Sequence, residues 1–250
     1  MQLTDTHIHL NSAEFDSIRQ DLIDSCEKRN IFRFIIPDVN LSTHNLNYTS
    51  AFSKFYYAIG VHPFFICSSD RLTEQLVDAE RYIAVGEIGI DLRKKLPELP
   101  DVELQINAFK EQADIAKNFN LPLIVHCVHA HDLTTGILKK MNFRSGGIVH
   151  GFTGSCETAR EWIKLGFKLG IGTAAAAARG DRLRRVIGSI GIENIVLETD
   201  APNPRLSPEF KDSIPECMMK ILSVVSGLYH CDINETAYLI EENINRTFLI

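Results

Sequence analysis

Asp5-Thr6-His7-Ile8-His9 constrains this chain more than any other segment, because two histidines two apart on extended backbone project from one face. Their imidazoles can then converge on one point, as a shared metal ion requires, with Asp5 one pair earlier on the same face. His-x-His alone is common by chance. It gains force here from Glu87, His126, His150 and Asp200, each at or just past the end of a β-like run.

Those runs are numerous and evenly placed. Strands are expected at Leu3–His7, Phe32–Ile36, Tyr56–Val61, Tyr82–Glu87, Leu121–His126, Gly147–His150, Phe167–Gly172 and Asn194–Glu198. Amphipathic segments alternate with them, at Phe15–Arg29, Asp101–Phe119, Leu133–Met141, Cys156–Leu165 and Arg182–Ile190. Asp101–Phe119 carries the helical period, with Leu104, Ala108, Phe109, Ala113 and Ala116 on one stripe. Two further helices are expected at Ile214–Tyr229 and Ile233–Phe248. Alternation over 250 residues without a long linker or an internal repeat predicts a single-domain α/β protein, a (β/α)8 TIM barrel, over an open doubly wound sheet. The run Ala174–Ala178 could begin a helix or simply keep side chains short at the barrel mouth, and helix propensity is an adequate reading of it.

In such a barrel the strand C-termini share one mouth. His7 and His9 leave strand one, His62 follows strand three in Gly60-Val61-His62-Pro63, and Glu87 ends strand four in Gly86-Glu87-Ile88-Gly89-Ile90-Asp91. His126 and His150 end strands five and six, and Asp200 ends strand eight in Glu198-Thr199-Asp200-Ala201-Pro202. A buried polar group at the end of an apolar strand is unfavourable unless paired, and a shared divalent metal centre satisfies this whole set at once. The expected metal ligands are His7, His9, Glu87, His126, His150 and Asp200. The expected catalytic residues are Asp200, Glu87 and His62, where His62 either supports a ligand or contacts substrate. His44, His129, His131 and His230 fall in loops or helices and read as ordinary histidines.

Composition narrows the function. A formal charge of −6 argues against a broad basic surface that coats nucleic acid, and leaves room for a local patch. Six cysteines without CxxC spacing read as reduced thiols, mostly buried. Neither a leader-like segment nor a membrane span is visible, so a cytoplasmic location with no membrane association is expected. Nothing calls for an obligate protein partner.

With these residues in view, the chain resembles the TatD family of metal-dependent hydrolases, a branch of the amidohydrolase-like barrels. The motifs that carry the likeness are DTHIH (5–9), GVHP (60–63), GEIGID (86–91), LPLIVH (121–126), HGFTG (150–154) and ETDAP (198–202), with NINRTF (243–248) similar to the family's terminal helix. They span essentially the whole chain in the family's order. The resemblance implies one or two divalent ions, zinc, magnesium or manganese. His7, His9, Glu87 and Asp200 would hold one ion; Glu87, His126 and His150 would hold the second, with Glu87 as the bridge. Asp200 would also act as general base. Family members are described as deoxyribonucleases, some with 3′→5′ exonuclease action, and one branch is associated with deacylating mischarged tRNA.

The substrate expected on this resemblance is DNA or another phosphodiester. The alternative class is a small ester, amide or lactone, or an aminoacyl bond on tRNA; a non-catalytic binding barrel is a third reading. This chain departs from the family pattern where substrate binds. Cys127 and Val128 follow His126, where members often carry Arg two residues on; Leu92-Arg93-Lys94-Lys95 follows GEIGID in place of an aromatic; and Lys211–Glu216 replaces an Arg-Asn-x-Pro type of segment. Arg93, Lys94, Lys95, Arg179, Arg182, Arg185 and Arg205 are alternative cations for phosphate. Arg179 and Arg205 stand out, because loops after strands seven and eight bind phosphate in many barrels. Arg184 reads as part of a solvated helix face.

Overall fold

In the computed structural model, residues 2–41, 50–66, 71–94, 96, 99–202 and 214–250 are described. Eight parallel strands form one sheet in sequence order: β1 Leu3–Asp5, β2 Ile31–Pro37, β3 Lys54–Ile59, β4 Tyr82–Asp91, β5 Leu123–Val128, β6 Gly147–Val149, β7 Phe167–Ile171 and β8 Ile195–Leu197. Between β8 and β1, Thr6 N donates to Leu197 O at 3.1 Å, Asp200 N to His7 O at 2.8 Å and His9 N to Ala201 O at 2.8 Å, so the sheet rolls into a nearly closed barrel. Near-continuous apolar runs such as Phe34-Ile35-Ile36 and Leu123-Ile124-Val125 are fully buried, as strands covered on both faces must be.

The helices are α1 Arg19–Glu27, α2 Val102–Asn118, α3 His131–Lys140, α4 Cys156–Lys164, α5 Asp181–Ile187, α6 Ile214–Tyr229 and α7 Ile233–Phe248. Side-chain caps start three of them: Asp101 accepts from Glu103 N, Ser155 from Thr158 N, and Asp232 from Asn234 N. Between β3 and β4 the described residues form only single 3-10 turns, at Pro63–Phe65 and Glu74–Leu76, so the expected alternation is irregular there. No described helix is long and apolar enough to cross a membrane.

Five expectations need correction. β4 does not stop at Glu87, nor β5, Leu123–Val128, at His126. β4 runs on to Asp91, because Ile88, Gly89, Ile90 and Asp91 pair with Val125, His126, Cys127 and Val128 after a register shift. Gly89 permits that pairing, since a Cβ there would lie 1.8 Å from His126 O. The alanine run forms no α-helix. Thr173–Ala175 is one 3-10 turn, and Arg184 Nη1 donates to Ala175 O and Ala177 O at 2.8 and 3.0 Å. So short a run cannot nucleate a helix against that competition. Arg184 is accordingly half-buried and bonded rather than a free surface cation. On α2, Leu104 is exposed while Gln105 and Gln112 are buried. Their amides bond strand-end backbone, which makes burial tolerable.

Candidate metal centre

The segments leaving β1 and β8 are stapled together before any ligand is presented. Asp5 Oδ1 accepts from His7 N at 3.2 Å and from Thr199 N at 3.0 Å, and Asp5 Oδ2 accepts from Thr199 Oγ1 at 2.5 Å. Ile8 is fully buried between His7 and His9, which fixes both rings on the mouth side. Asp200 takes a φ of 55°, a left-handed conformation that aspartate tolerates.

Glu87 is the centre of the constellation. Its Oε2 lies 3.2 Å from His7 Nε2 and 3.5 Å from His9 Nε2. Its Oε1 lies 2.7 Å from His150 Nε2 and 2.9 Å from His126 Nδ1, and those two nitrogens are 3.1 Å apart. Asp200 Oδ1 lies 3.7 Å from His7 Nε2 and 3.5 Å from His9 Nε2. His62 Nε2 stands 3.5 Å from Glu87 Oε1. The rings of His7 and His150 stack with centroids 4.0 Å apart, joining the two halves of the cluster. All seven residues singled out in the sequence therefore meet at one place.

Burial pushes Glu87 upward, but the charges of His150, His62 and His7 overcome it and hold the carboxylate well below its ordinary range. Burial likewise opposes ionisation of Asp200, which the His9 hydrogen bond and the charges of His150 and His7 hold low. Burial lowers His7 to about 4 and His62 to about 3. For His150, burial is outweighed by the Glu87 charge and hydrogen bond, and the ring is pushed up to about 10. The two ionised carboxylates thus draw protons onto His150, His9 and His126, while burial holds His7 and His62 toward the neutral form.

A divalent ion fits this donor set. His7 Nε2 and His9 Nε2 are 3.3 Å apart, close to the roughly 3.3–3.4 Å between two nitrogens that share a tetrahedral ion at about 2.0–2.1 Å. His7, His9 and Glu87 present ligand atoms within 4.8 Å of one another, as do His7, His150 and Asp200, and His62, Glu87 and His126. A cation would replace the proton that Glu87 otherwise draws onto the rings.

Two acids outside the candidate set lie against these ligands. Asp91 Oδ2 lies 3.0 Å from His126 Nε2. Glu198 is fully buried, accepts from Gly151 N and stands 3.9 Å from His150 Nδ1; burial pushes its carboxyl up to about 8. Both lie inside GEIGID and ETDAP, where an acid close to a candidate ligand is the available signal. Arg93 is not free for phosphate: it forms an ion pair with Asp91 and lies over the Phe64 ring, 5.3 Å from its centroid. Lys94, Arg179, Arg182 and Arg185 are exposed, while Lys95, Arg205 and His44 lie outside the described residues. Five described cysteines are free, with Cys26, Cys127 and Cys217 buried.

Parallel barrels that gather imidazole and carboxylate donors at this mouth form a class of metal-dependent hydrolases, and this protein is one of them. The model of the family described as TatD related DNase matches residues 4–249, and the chain belongs to that family. It is 29% identical over 253 residues to the protein described as uncharacterized metal-dependent hydrolase YjjV of Escherichia coli K12, covering 98% of this chain and 96% of that one. It is 27% identical over 238 residues to the protein of Erwinia billingiae described as 3'-5' ssDNA/RNA exonuclease TatD, covering 90% of each. The crystal structure of YjjV, a TatD homolog, superposes with a TM-score of 0.83 at 26% identity, over 99% of this chain and 98% of that one.

Proposed function

We propose that the chain, acting as a single hydrolase domain, is a divalent-metal-dependent phosphodiesterase that removes nucleotides from single-stranded DNA or RNA ends. One observation carries the reading: the two oxygens of Glu87 face opposite nitrogen clusters, His7 and His9 on one side, His126 and His150 on the other. His7, His9, Glu87 and Asp200 would hold one ion, and Glu87, His126 and His150 a second. Imidazole with carboxylate favours Zn2+ or Mn2+ over Mg2+, which prefers an all-oxygen shell. Divalent ions held there acidify water and neutralise charge on phosphoryl oxygens.

The side chains supply the rest. Asp200 is the more exposed of the two carboxylates, 26% against 3% for Glu87, so it faces incoming substrate and accepts the proton of the attacking water. His62 Nδ1 accepts from Phe64 N at 3.1 Å, which places the ring proton on Nε2. That nitrogen is then a donor rather than a ligand, suited to a phosphoryl oxygen. Phe65 is 45% exposed, and its ring lies 6.2 Å from that of His62, offering a stacking face to an unpaired base. Arg179, exposed in the segment after β7, would contact a backbone phosphate.

The test joins composition to a substrate panel. Wild type should carry divalent metal by elemental analysis, and His7→Ala with His9→Ala should lose at least one equivalent. Metal-loaded wild type should shorten single-stranded oligonucleotides and cleave bis-p-nitrophenyl phosphate. Cleavage of esters or lactones with both phosphodiesters left intact would overturn the substrate assignment, and equal metal in wild type and variant would overturn the site.

A further inference from the structure

The four candidate ligand imidazoles are not held alike. The outer nitrogens of His7, His9 and His150, in each case Nδ1, are buried with no hydrogen-bond partner among the described residues. His126 differs: its Nε2 meets Asp91 Oδ2 at 3.0 Å while its Nδ1 points at Glu87. Asp91 is itself buried and tightly fixed. Arg93 donates to it through Nε, 2.9 Å from Oδ1 and 2.8 Å from Oδ2, through Nη2, and through its backbone N at 2.9 Å. Gln105 on α2 clamps the Asp91 backbone, accepting from its N at 2.8 Å and donating to its O at 3.2 Å.

These contacts close on themselves. The Arg93 guanidinium lies over Phe64; Phe64 stacks on His62 at 5.3 Å and 10°; and His62 meets the His126 ring edge-on at 4.3 Å. His126 is therefore gripped through its outer nitrogen and along its flank.

We infer that Asp91 is a positioning residue. In the cation-loaded site it would keep the proton of His126 on Nε2, so that Nδ1 is free to meet a cation on the Glu87 Oε1 and His150 side of the centre, and Arg93 locks Asp91 in place. An ionised carboxylate can only accept, so Asp91 keeps a proton on Nε2; Nδ1, which meets the Glu87 carboxylate at 2.9 Å, would give up its own proton when a cation takes that side and would then be the donor atom. The inference rests on the metal reading of the site. It adds an asymmetry: cation binding on the His126–His150 side depends on Asp91, and binding on the His7–His9 side does not.

The experiment is a Mn2+ titration of the metal-stripped full chain by calorimetry, for wild type, Asp91→Ala and Asp91→Asn. It is accompanied by 15N–1H spectra of the His126 ring in Zn2+-loaded protein. Asp91→Ala should weaken one binding step by about 10- to 100-fold and leave the other unchanged. Asp91→Asn, which keeps an acceptor oxygen, should shift that step less. The wild-type ring should show a proton on Nε2 and none on Nδ1. Two unchanged steps in Asp91→Ala, accompanied only by a lower melting temperature, would overturn the inference in favour of a purely structural role. A wild-type Nδ1–H tautomer would also overturn it, even if neither variant folds. Wild type that takes up no Mn2+ or Zn2+ would sink the metal reading itself, a result distinct from both.

Discussion

The carboxamide of Gln112 closes on both polar groups of the Val61 residue: Val61 N donates to Oε1 at 2.8 Å, and Nε2 donates to Val61 O at 3.1 Å. Gln105, two turns earlier on α2, treats Asp91 the same way. One helix therefore sets the positions of two strand ends, the one before His62 and the one carrying Asp91. Both glutamines replace backbone partners that the sheet does not provide at its mouth.

Gln112→Leu keeps the volume and removes both bonds. It leaves a buried N–H and a buried C=O without the partner they have now. The expected destabilisation is about 2–6 kcal/mol, from roughly 1–3 kcal/mol per buried unsatisfied group, read as a shift in the urea midpoint. A shift below about 1 kcal/mol would show that Val61 finds other partners.

Asp200→Asn preserves shape but removes the proton acceptor. Hydrolysis of the best phosphodiester should fall by roughly 100- to 10,000-fold. Metal content must be measured in the same preparation, because an amide is also the poorer ligand. Activity within a few-fold of wild type, with metal retained, would refute the general-base role.

Phe65→Ala should separate base binding from chemistry. Stacking on an aromatic side chain contributes about 1–3 kcal/mol per base, so KM for a single-stranded oligonucleotide should rise roughly 5- to 150-fold. The small diester bis-p-nitrophenyl phosphate should keep its kinetic constants. Equal effects on both substrates would place the role of Phe65 in folding rather than in base recognition.

Glu241→Gln tests the buried ion pair that ties α7 to β1 and β2. Glu241 pairs with Arg33 and accepts from Thr4 N at 2.7 Å and Thr4 Oγ1 at 2.8 Å, while Arg33 also donates to Asn245 Oδ1 at 2.8 Å. Removing the carboxylate leaves the Arg33 charge buried, and the loss should be about 3–5 kcal/mol by denaturant unfolding. Stability equal to wild type would mean that Asn245 and solvent suffice for Arg33.

Much of this molecule was legible because the signals are local. Strand runs, helical stripes and the placement of His7, His9, His62, His126, His150 and Asp200 depend on residues close in sequence, and the structure brings all six together with Glu87. The departures lie where a partner outside the segment itself overrides its local preference. Pairing with β5 carried β4 past Glu87 to Asp91, Arg184 bound the carbonyls of the alanine run, and α2 turned Gln105 inward and left Leu104 exposed.

The sequence by itself determined the barrel, the order of its motifs and the residue types at its mouth, since periodicity and strand-end chemistry act over a few residues. Only the tertiary structure decided which atom faces which. That Glu87 presents one oxygen to each histidine pair, that Asp91 takes the outer nitrogen of His126, and that Asp5 binds Thr199 across 194 positions are consequences of closing the sheet. Hydrogen bonds are directional and short, so their partners follow from three-dimensional register, which no window of sequence contains.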